Sequence, residues 1–382
     1  MTGIYERRSS DSYLVVDCGG GTVDITSHQL NADGKTLKEI HRAAGGPYGS
    51  SLVDTAFENY IAELFGSEFL EHFKLKYPAS YIDLLVAFES RKRCTSPYKL
   101  SPLNVSLPFS FVECYRKMKG HRVDCGMKKP NTGSRVLWTP QGMLRISSEI
   151  MQSFFQPTLT GIERCVAKVL TELQNSASPK YIFLVGGFAE SPMLQQHMRK
   201  VFGDKIKVII PQDVGLAVLK GAVLFGLHPD AISVRRSRLT YGVGVLHRFD
   251  PSRHPIDKRI RKNEIDWCTD IFDAFVLIGQ SIAKGDTVTR YYCPASPTQR
   301  EIVIQIYCCE AESPQFVTDP GVRKCGLLRL TLQPVASDGQ RREIIARMLF
   351  GETELQVIAI DKRTNAFVQC EVDFLGTTGK QR

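Results

Sequence analysis

The sequence predicts an α/β lobe carrying an inserted α+β segment, followed by an all-β sandwich. Two short apolar runs each end in a glycine cluster, amphipathic helical spacing fills much of the chain between them, and helical periodicity all but stops after Pro229. We therefore place an α/β domain over residues 1–230, its insertion at about 51–146, and a β-sandwich over residues 231–382.

The first transition is Tyr13-Leu14-Val15-Val16 ending in Asp17, then Cys18-Gly19-Gly20-Gly21, then the alternating Thr22-Val23-Asp24-Ile25-Thr26. It reads as strand, glycine turn, strand. The second runs from Tyr181-Ile182-Phe183-Leu184-Val185 into Gly186-Gly187, with Ser191-Pro192 opening a helix from Met193. Between them, residues 52–64 and 81–93 carry helical spacing, and Pro97 and Pro102 stop the second run. A further helix over 148–173, broken near Pro157, places Phe155, Leu159, Ile162, Val166, Val169 and Leu173 on one face, which most simply packs on a sheet. Val208-Ile209-Ile210 predicts a strand, and 215–227 a helix of small and apolar residues. Beyond Pro229, β-type runs recur at 241–246, 272–278, 288–292, 301–307, 327–332, 343–350, 355–360 and 367–374, separated by turn signals such as Asp338-Gly339. Runs at this spacing suit a sandwich of about eight strands.

Composition narrows the function. The 382 residues are 43% hydrophobic and 23% charged, an ordinary folded balance. A net charge of +9 is spread among 40 acids, and the basic clusters at Arg91-Lys92-Arg93, Arg235-Arg236 and Lys258-Arg259 come with no nucleic-acid-binding pattern, so no nucleic-acid partner is expected. Eleven dispersed cysteines without a CxxC pair argue for reduced thiols, in the cytoplasm or alternatively the nucleus. Cys114, His121 and Cys125 fit no common zinc spacing. The longest apolar stretch, 214–227, contains Lys220 and is too short to span a bilayer, so no membrane span is expected.

Glycines at 19–21 leave room for close backbone approach, and turn N–H groups can form a nest for phosphate oxygens. Asp17 at the strand end could hold magnesium through waters, and Thr22 could bond a terminal phosphate. A hairpin without ligand has the same pattern. Gly186 and Gly187 would let the backbone pass under a nucleoside, or simply pack a strand on a helix. Lys92, Arg93 and Ser96 could grip ribose and base, or sit in solvent at a helix end.

The joint order is more specific. Asp17-x-Gly-Gly-Gly-Thr-x-Asp24, then Glu89 with Lys92-Arg93-x-x-Ser96, then Leu184-Val185-Gly186-Gly187-x-x-x-Ser191-Pro192, then Gly221-Ala222 resembles the second half of the actin-like ATPase pattern of seventy-kilodalton heat-shock proteins. Ala44-Gly45-Gly46-Pro47-Tyr48-Gly49 and the stretches 87–93 and 211–226 are similar to the atypical heat shock 70 kDa protein 12 family. The resemblance implies ATP or ADP with Mg2+. Asp17, Gly19, Gly20, Gly21 and Thr22 would face phosphate and metal, with Asp17 as the metal residue, while Lys92, Arg93 and Ser96 would hold the nucleoside over Gly186 and Gly187. It also implies a stress-response chaperone with protein clients, whose β-sandwich has no helical lid here.

Departures qualify this. The family's first phosphate hairpin, catalytic lysine and connecting-helix glutamate lie upstream of the glycine hairpin, where this sequence has 16 residues. An N-terminally truncated chain with an incomplete nucleotide site is expected, and hydrolysis by it alone is not. The helix near 217–227 would then expose an apolar face. Phe188 and Glu190 replace a serine and an arginine on the adenine side. The alternative reading is a pseudo-ATPase adaptor that binds protein partners.

Overall fold

Two units divide the chain in a computed structural model that describes residues 11–121, 123, 137–139, 142–262, 264–296, 298–333, 341–350 and 354–373. Residues 11–27 and 44–226 make one unit, and the described residues of 28–43 and 227–382 the other.

In the first unit β1 (Ser12–Cys18), β2 (Val23–Leu30), which with β3 (Leu37–Gly46) forms a hairpin leaving the unit at Ser27, β7 (Tyr181–Val185) and β8 (Lys207–Ile209) lie in the order β2-β1-β7-β8. Strands β1 and β7 are parallel, in register from Tyr13 opposite Tyr181 to Asp17 opposite Val185, so both glycine transitions emerge at one edge of the sheet. Leu14, Val16 and Cys18 are buried in alternation, as a strand period of two requires.

Between β3 and β7 come α1 (Ser51–Phe65), α2 (Ser67–Lys76), α3 (Pro78–Arg93), a small sheet in the order β4-β6-β5 (Leu103–Ser106, Met143–Ile146, Leu137–Trp138) and α4 (Phe109–Lys119), followed by α5 (Ser148–Ser153) and α6 (Gln156–Leu173). Gly66, at φ +98°, breaks α1 from α2, and Pro78 opens α3, where a missing N–H costs nothing. An aromatic core binds these helices: Phe57 stacks on Phe88 at 3.9 Å, and Phe111 meets Phe69 edge-on at 4.9 Å. The predicted stripe of α6 is buried at Leu159, Ile162, Val166, Val169 and Leu173. After β7 come α7 (Pro192–Phe202) and α8 (Ala217–Leu227), and no residue of α8 is buried.

In the second unit the far end of the β2–β3 hairpin lies beside β9 (Ile232–Arg236), with β13 (Ser281–Ala283) beyond it. Glu39 accepts from the Arg236 backbone N–H at 2.7 Å, and Asn31 donates to Ser233 at 2.9 Å. A five-stranded antiparallel sheet runs β11-β12-β10-β15-β16 (Arg259–Lys262, Ile265–Val276, Thr240–Arg248, Glu301–Cys309, Arg323–Thr331), and a four-stranded one runs β14-β17-β18-β19 (Thr287–Tyr292, Ile344–Phe350, Glu354–Asp361, Phe367–Asp373). Tyr241, Ile306 and Leu328 of the first share one buried cluster with Met348, Val357 and Val372 of the second. The β18–β19 turn is fixed by buried Asp361, which accepts from the Thr364 hydroxyl at 2.6 Å, the Arg363 N–H at 3.1 Å and the Arg342 guanidinium.

Candidate nucleotide-facing site

Of the ten residues expected at the site, Asp17, the turn of Gly19, Gly20, Gly21 and Thr22, and the Gly186-Gly187 pair follow the carboxyl ends of the parallel strands β1 and β7, the edge where open α/β sheets receive ligands, and Arg93 reaches the second transition through Glu190. Gly19 closes the glycine turn by donating to the Thr22 carbonyl at 2.9 Å. The turn's carbonyls are then consumed by the start of α1: Ser50 N–H donates to Gly19 at 3.1 Å, Ser51 to Gly20 at 2.8 Å and Gly49 to Gly21 at 3.2 Å. This docking requires glycine at 49, because a Cβ there would lie 2.2 Å from the Gly20 oxygen. Gly20, Gly21 and Thr22 remain exposed, and a Cβ placed on Gly20 or Gly21 meets nothing within 4 Å. The tip is open to solvent.

Asp17 lies against the second glycine transition. Gly186 has φ +91°, and a Cβ on it would stand 2.3 Å from Asp17 Oδ1 and 2.5 Å from the Cys18 oxygen. Burial, and then the neighbouring Asp24 carboxylate, hold the Asp17 carboxyl above the usual carboxylate range. The Thr22 hydroxyl donates to Asp24 at 3.0 Å. Two carboxylates and a hydroxyl on one hairpin are the hard oxygen donors that suit a hydrated Mg2+. Among the described residues no three His, Cys, Asp or Glu side chains converge as a direct metal site, and Cys125 of the conceivable zinc set lies outside them.

The basic end of α3 meets this locus at Arg93. Lys92 is buried, and its ammonium contacts Asp54 of α1 at 2.8 Å and Glu89 at 2.5 Å, which braces α3 against the helix that docks the hairpin. Arg93 is 69% exposed, so it is the cation of the pair that faces solvent; it contacts Glu89 at 2.8 Å and Glu190 at 3.8 Å. Glu190 ends the 3-10 turn Gly187–Glu190 that follows Gly186, so Arg93 ties the helix end to the second glycine transition. Ser96 is half-buried, its carbonyl accepting from Gln152 at 3.2 Å. Glu190 also lines an open groove of about 390 Å³, together with Gln195, Pro211, Asp213 and Leu216.

Sequence reasoning missed the supports: Asp54 as partner of Lys92, Glu190 as partner of Arg93, and the anchoring of the Gly46–Ser51 turn. Tyr48 is clasped where a Cβ on Gly161 would come within 2.2 Å of its ring, and Thr158 donates to the Gly49 carbonyl at 3.1 Å. Only the small residues at 46, 49 and 161 could have signalled it.

This mixed α/β architecture with several sheets is compatible with an actin-like lobe of the heat-shock 70 kDa type. No family model matches the chain. It is 49% identical over 379 residues to human heat shock 70 kDa protein 12B, covering 97% of this chain and 55% of that protein. The human 12A protein is also 49% identical, over 372 residues with the same coverage of each. The chaperone protein DnaK of Thermus thermophilus is 24% identical over 263 residues, 66% of this chain and 38% of its own. The chain belongs to the heat shock 70 kDa protein 12 family, and it spans a little over half the length of the members it matches.

Proposed function

We propose that the first unit is a nucleotide-binding surface for ATP or ADP with Mg2+, serving a chaperone-like role toward protein clients. The observation that carries this reading is the meeting of Asp17 with Gly186 at the ends of two parallel strands, beside a glycine turn whose carbonyls are occupied and whose tip is open. Asp17, with Asp24 nearby, would hold the magnesium through its water shell; Gly19, Gly20, Gly21 and Thr22 would face the phosphates. Arg93 and Ser96 would flank the nucleoside, Lys92 would hold the helix that presents them, and Gly186 and Gly187 would lie beneath. Bound magnesium would offset phosphate charge. Phosphoryl transfer needs positioned charge on both sides of the phosphates, and the groups on this hairpin are acids and a hydroxyl, so binding rather than turnover is the activity we assign. The two sheets of the second unit fit the reading of a β-sandwich that meets partner proteins, and the dispersed unpaired cysteines fit a cytoplasmic setting.

A magnesium-dependent thermal shift tests this: ADP with Mg2+ should raise the melting temperature, and Asp17→Ala should abolish the rise. An unchanged melting temperature in the wild-type chain at millimolar nucleotide would sink the reading. A second reading, an adaptor without nucleotide dependence, is favoured by one observation: α8 buries nothing and exposes Leu219, Val223 and Leu224. Such a face suits a protein partner.

A further inference from the structure

The inner wall of the second unit holds a group of thiols that the proposed nucleotide surface does not use. Cys308, near the end of β15, and Cys325, in β16, lie in adjacent antiparallel strands and point into the same buried cluster, with Cys370 of β19 in that cluster too. Cys308 stands opposite Arg323, the first residue of β16, and the ladder shifts register between Ile306 and Tyr307, which brings Cys325 into the turn of the bulge. At this corner of the ladder Cys308 therefore has Cys325 and Arg323 as its neighbours from β16. A Cβ at position 326 would come within 3.5 Å of the Cys370 sulphur and 3.0 Å of Ile306, so Gly326 keeps the strands close at this point.

We infer that Cys308 and Cys325 form a dithiol switch, closed to a cross-strand disulfide by exchange with a small-molecule disulfide of the glutathione type. Cys308 is the attacking thiol, since a hydrogen-bond donor and a cation both stabilise its thiolate. It attacks one sulphur of the glutathione disulfide and expels one glutathione thiolate, leaving a mixed disulfide. Cys325 gives up its proton to solvent and attacks the Cys308 sulphur, expelling the second glutathione. The protein's two thiols lose two electrons and the glutathione disulfide gains them as two thiols. Hydrogen bonding from Cys325 and the Arg323 charge hold the Cys308 thiol below its ordinary range, in keeping with the attacking role. Burial holds Cys370 up at about 11, so it is the bystander.

Both thiols are closed off, at 0% and 1% exposure, so the reagent must reach them through local opening. The position favours that. Strand β16 is an edge strand, Arg323 and Lys324 at its start are exposed, and the bulge weakens the ladder beside them. Fraying of three residues would uncover Cys325 without opening the core formed by Leu328 and Leu330.

The test is to equilibrate the full folded chain in glutathione redox buffers at pH 7.5, quench with acid, alkylate, and map the cysteine peptides by mass spectrometry. A Cys308–Cys325 disulfide should appear in a single equilibrium, persist in Cys370→Ala, and form several-fold more slowly in Arg323→Gln, whose exposed side chain leaves the core intact. Near-ultraviolet circular dichroism recorded alongside should stay native. Three results overturn the inference: both thiols fully alkylated as free thiols in the most oxidising native buffer, a disulfide that forms only in urea, or a different pairing such as Cys308–Cys309.

Discussion

At the scale of single residues, the site rests on atoms that leave no room for change. Gly186→Ala would add a Cβ against both Asp17 Oδ1 and a backbone oxygen, at a φ that an L side chain rarely adopts. We expect a loss of about 3 kcal/mol in chemical denaturation, with nucleotide affinity falling as Asp17 is displaced. Lys92→Met should cost about 2 kcal/mol, because Asp54 and Glu89 would face an apolar group yet keep some solvent to screen them. Should Lys92→Met leave stability unchanged, the bracing role is wrong. His28 in the second unit makes a pH prediction: burial, and then Arg235, lower its imidazole from 6.5 to about 4. A depressed histidine is neutral when folded, while the unfolded chain takes up a proton below 6.5; stability is therefore full above that pH and falls as pH drops toward 4. His28→Phe should flatten the melting temperature across that window, and an equally steep decline in the variant would contradict the assignment.

At the scale of elements, what the sequence made legible follows a physical divide. Helix α6 was readable because its stripe repeats with the helical period and every stripe residue buries against the unit's core. The eight β-type runs after Pro229 correspond to β10, β12 and β14–β19, and β17 shows the alternation of a strand with one buried face along its whole length. Missed elements lack such a signal. Helices α2 and α4 draw on an aromatic cluster of Phe69, Phe73, Phe111 and Tyr115, whose partners are remote in sequence. Strand β3 is half-buried except at exposed Gly45 and offers no period, and β11 is fully exposed. Helix α8 was read correctly as small and apolar, and its exposure leads to a prediction. Leu219→Gln with Val223→Gln should change folding stability by less than about 0.5 kcal/mol while reducing self-association in sedimentation at high concentration.

At the scale of the molecule, the sequence carried the family through the order of its motifs rather than through any one of them. Each of the ten expected site residues is individually ambiguous, and the fold resolves part of that ambiguity by showing what each side chain touches. Lys92 turns inward to Asp54, Arg93 turns outward beside Glu190, and Asp17 meets Gly186. Those contacts link positions tens of residues apart, which is why spacing alone could not supply them. The hairpin also divides where no composition shift marks it, residues 28–43 packing with the second unit.

The central claim is that this surface binds nucleotide through Asp17 and its glycine turn. Isothermal titration of ADP into the full chain, with and without Mg2+, tests it most directly. The account predicts one site whose affinity falls at least about tenfold when magnesium is chelated, and by a similar factor in Asp17→Asn with magnesium present, a loss of roughly 1.4 kcal/mol in either case. Heat of binding that is absent in the wild-type chain, or present and indifferent to both magnesium and Asp17, would contradict it.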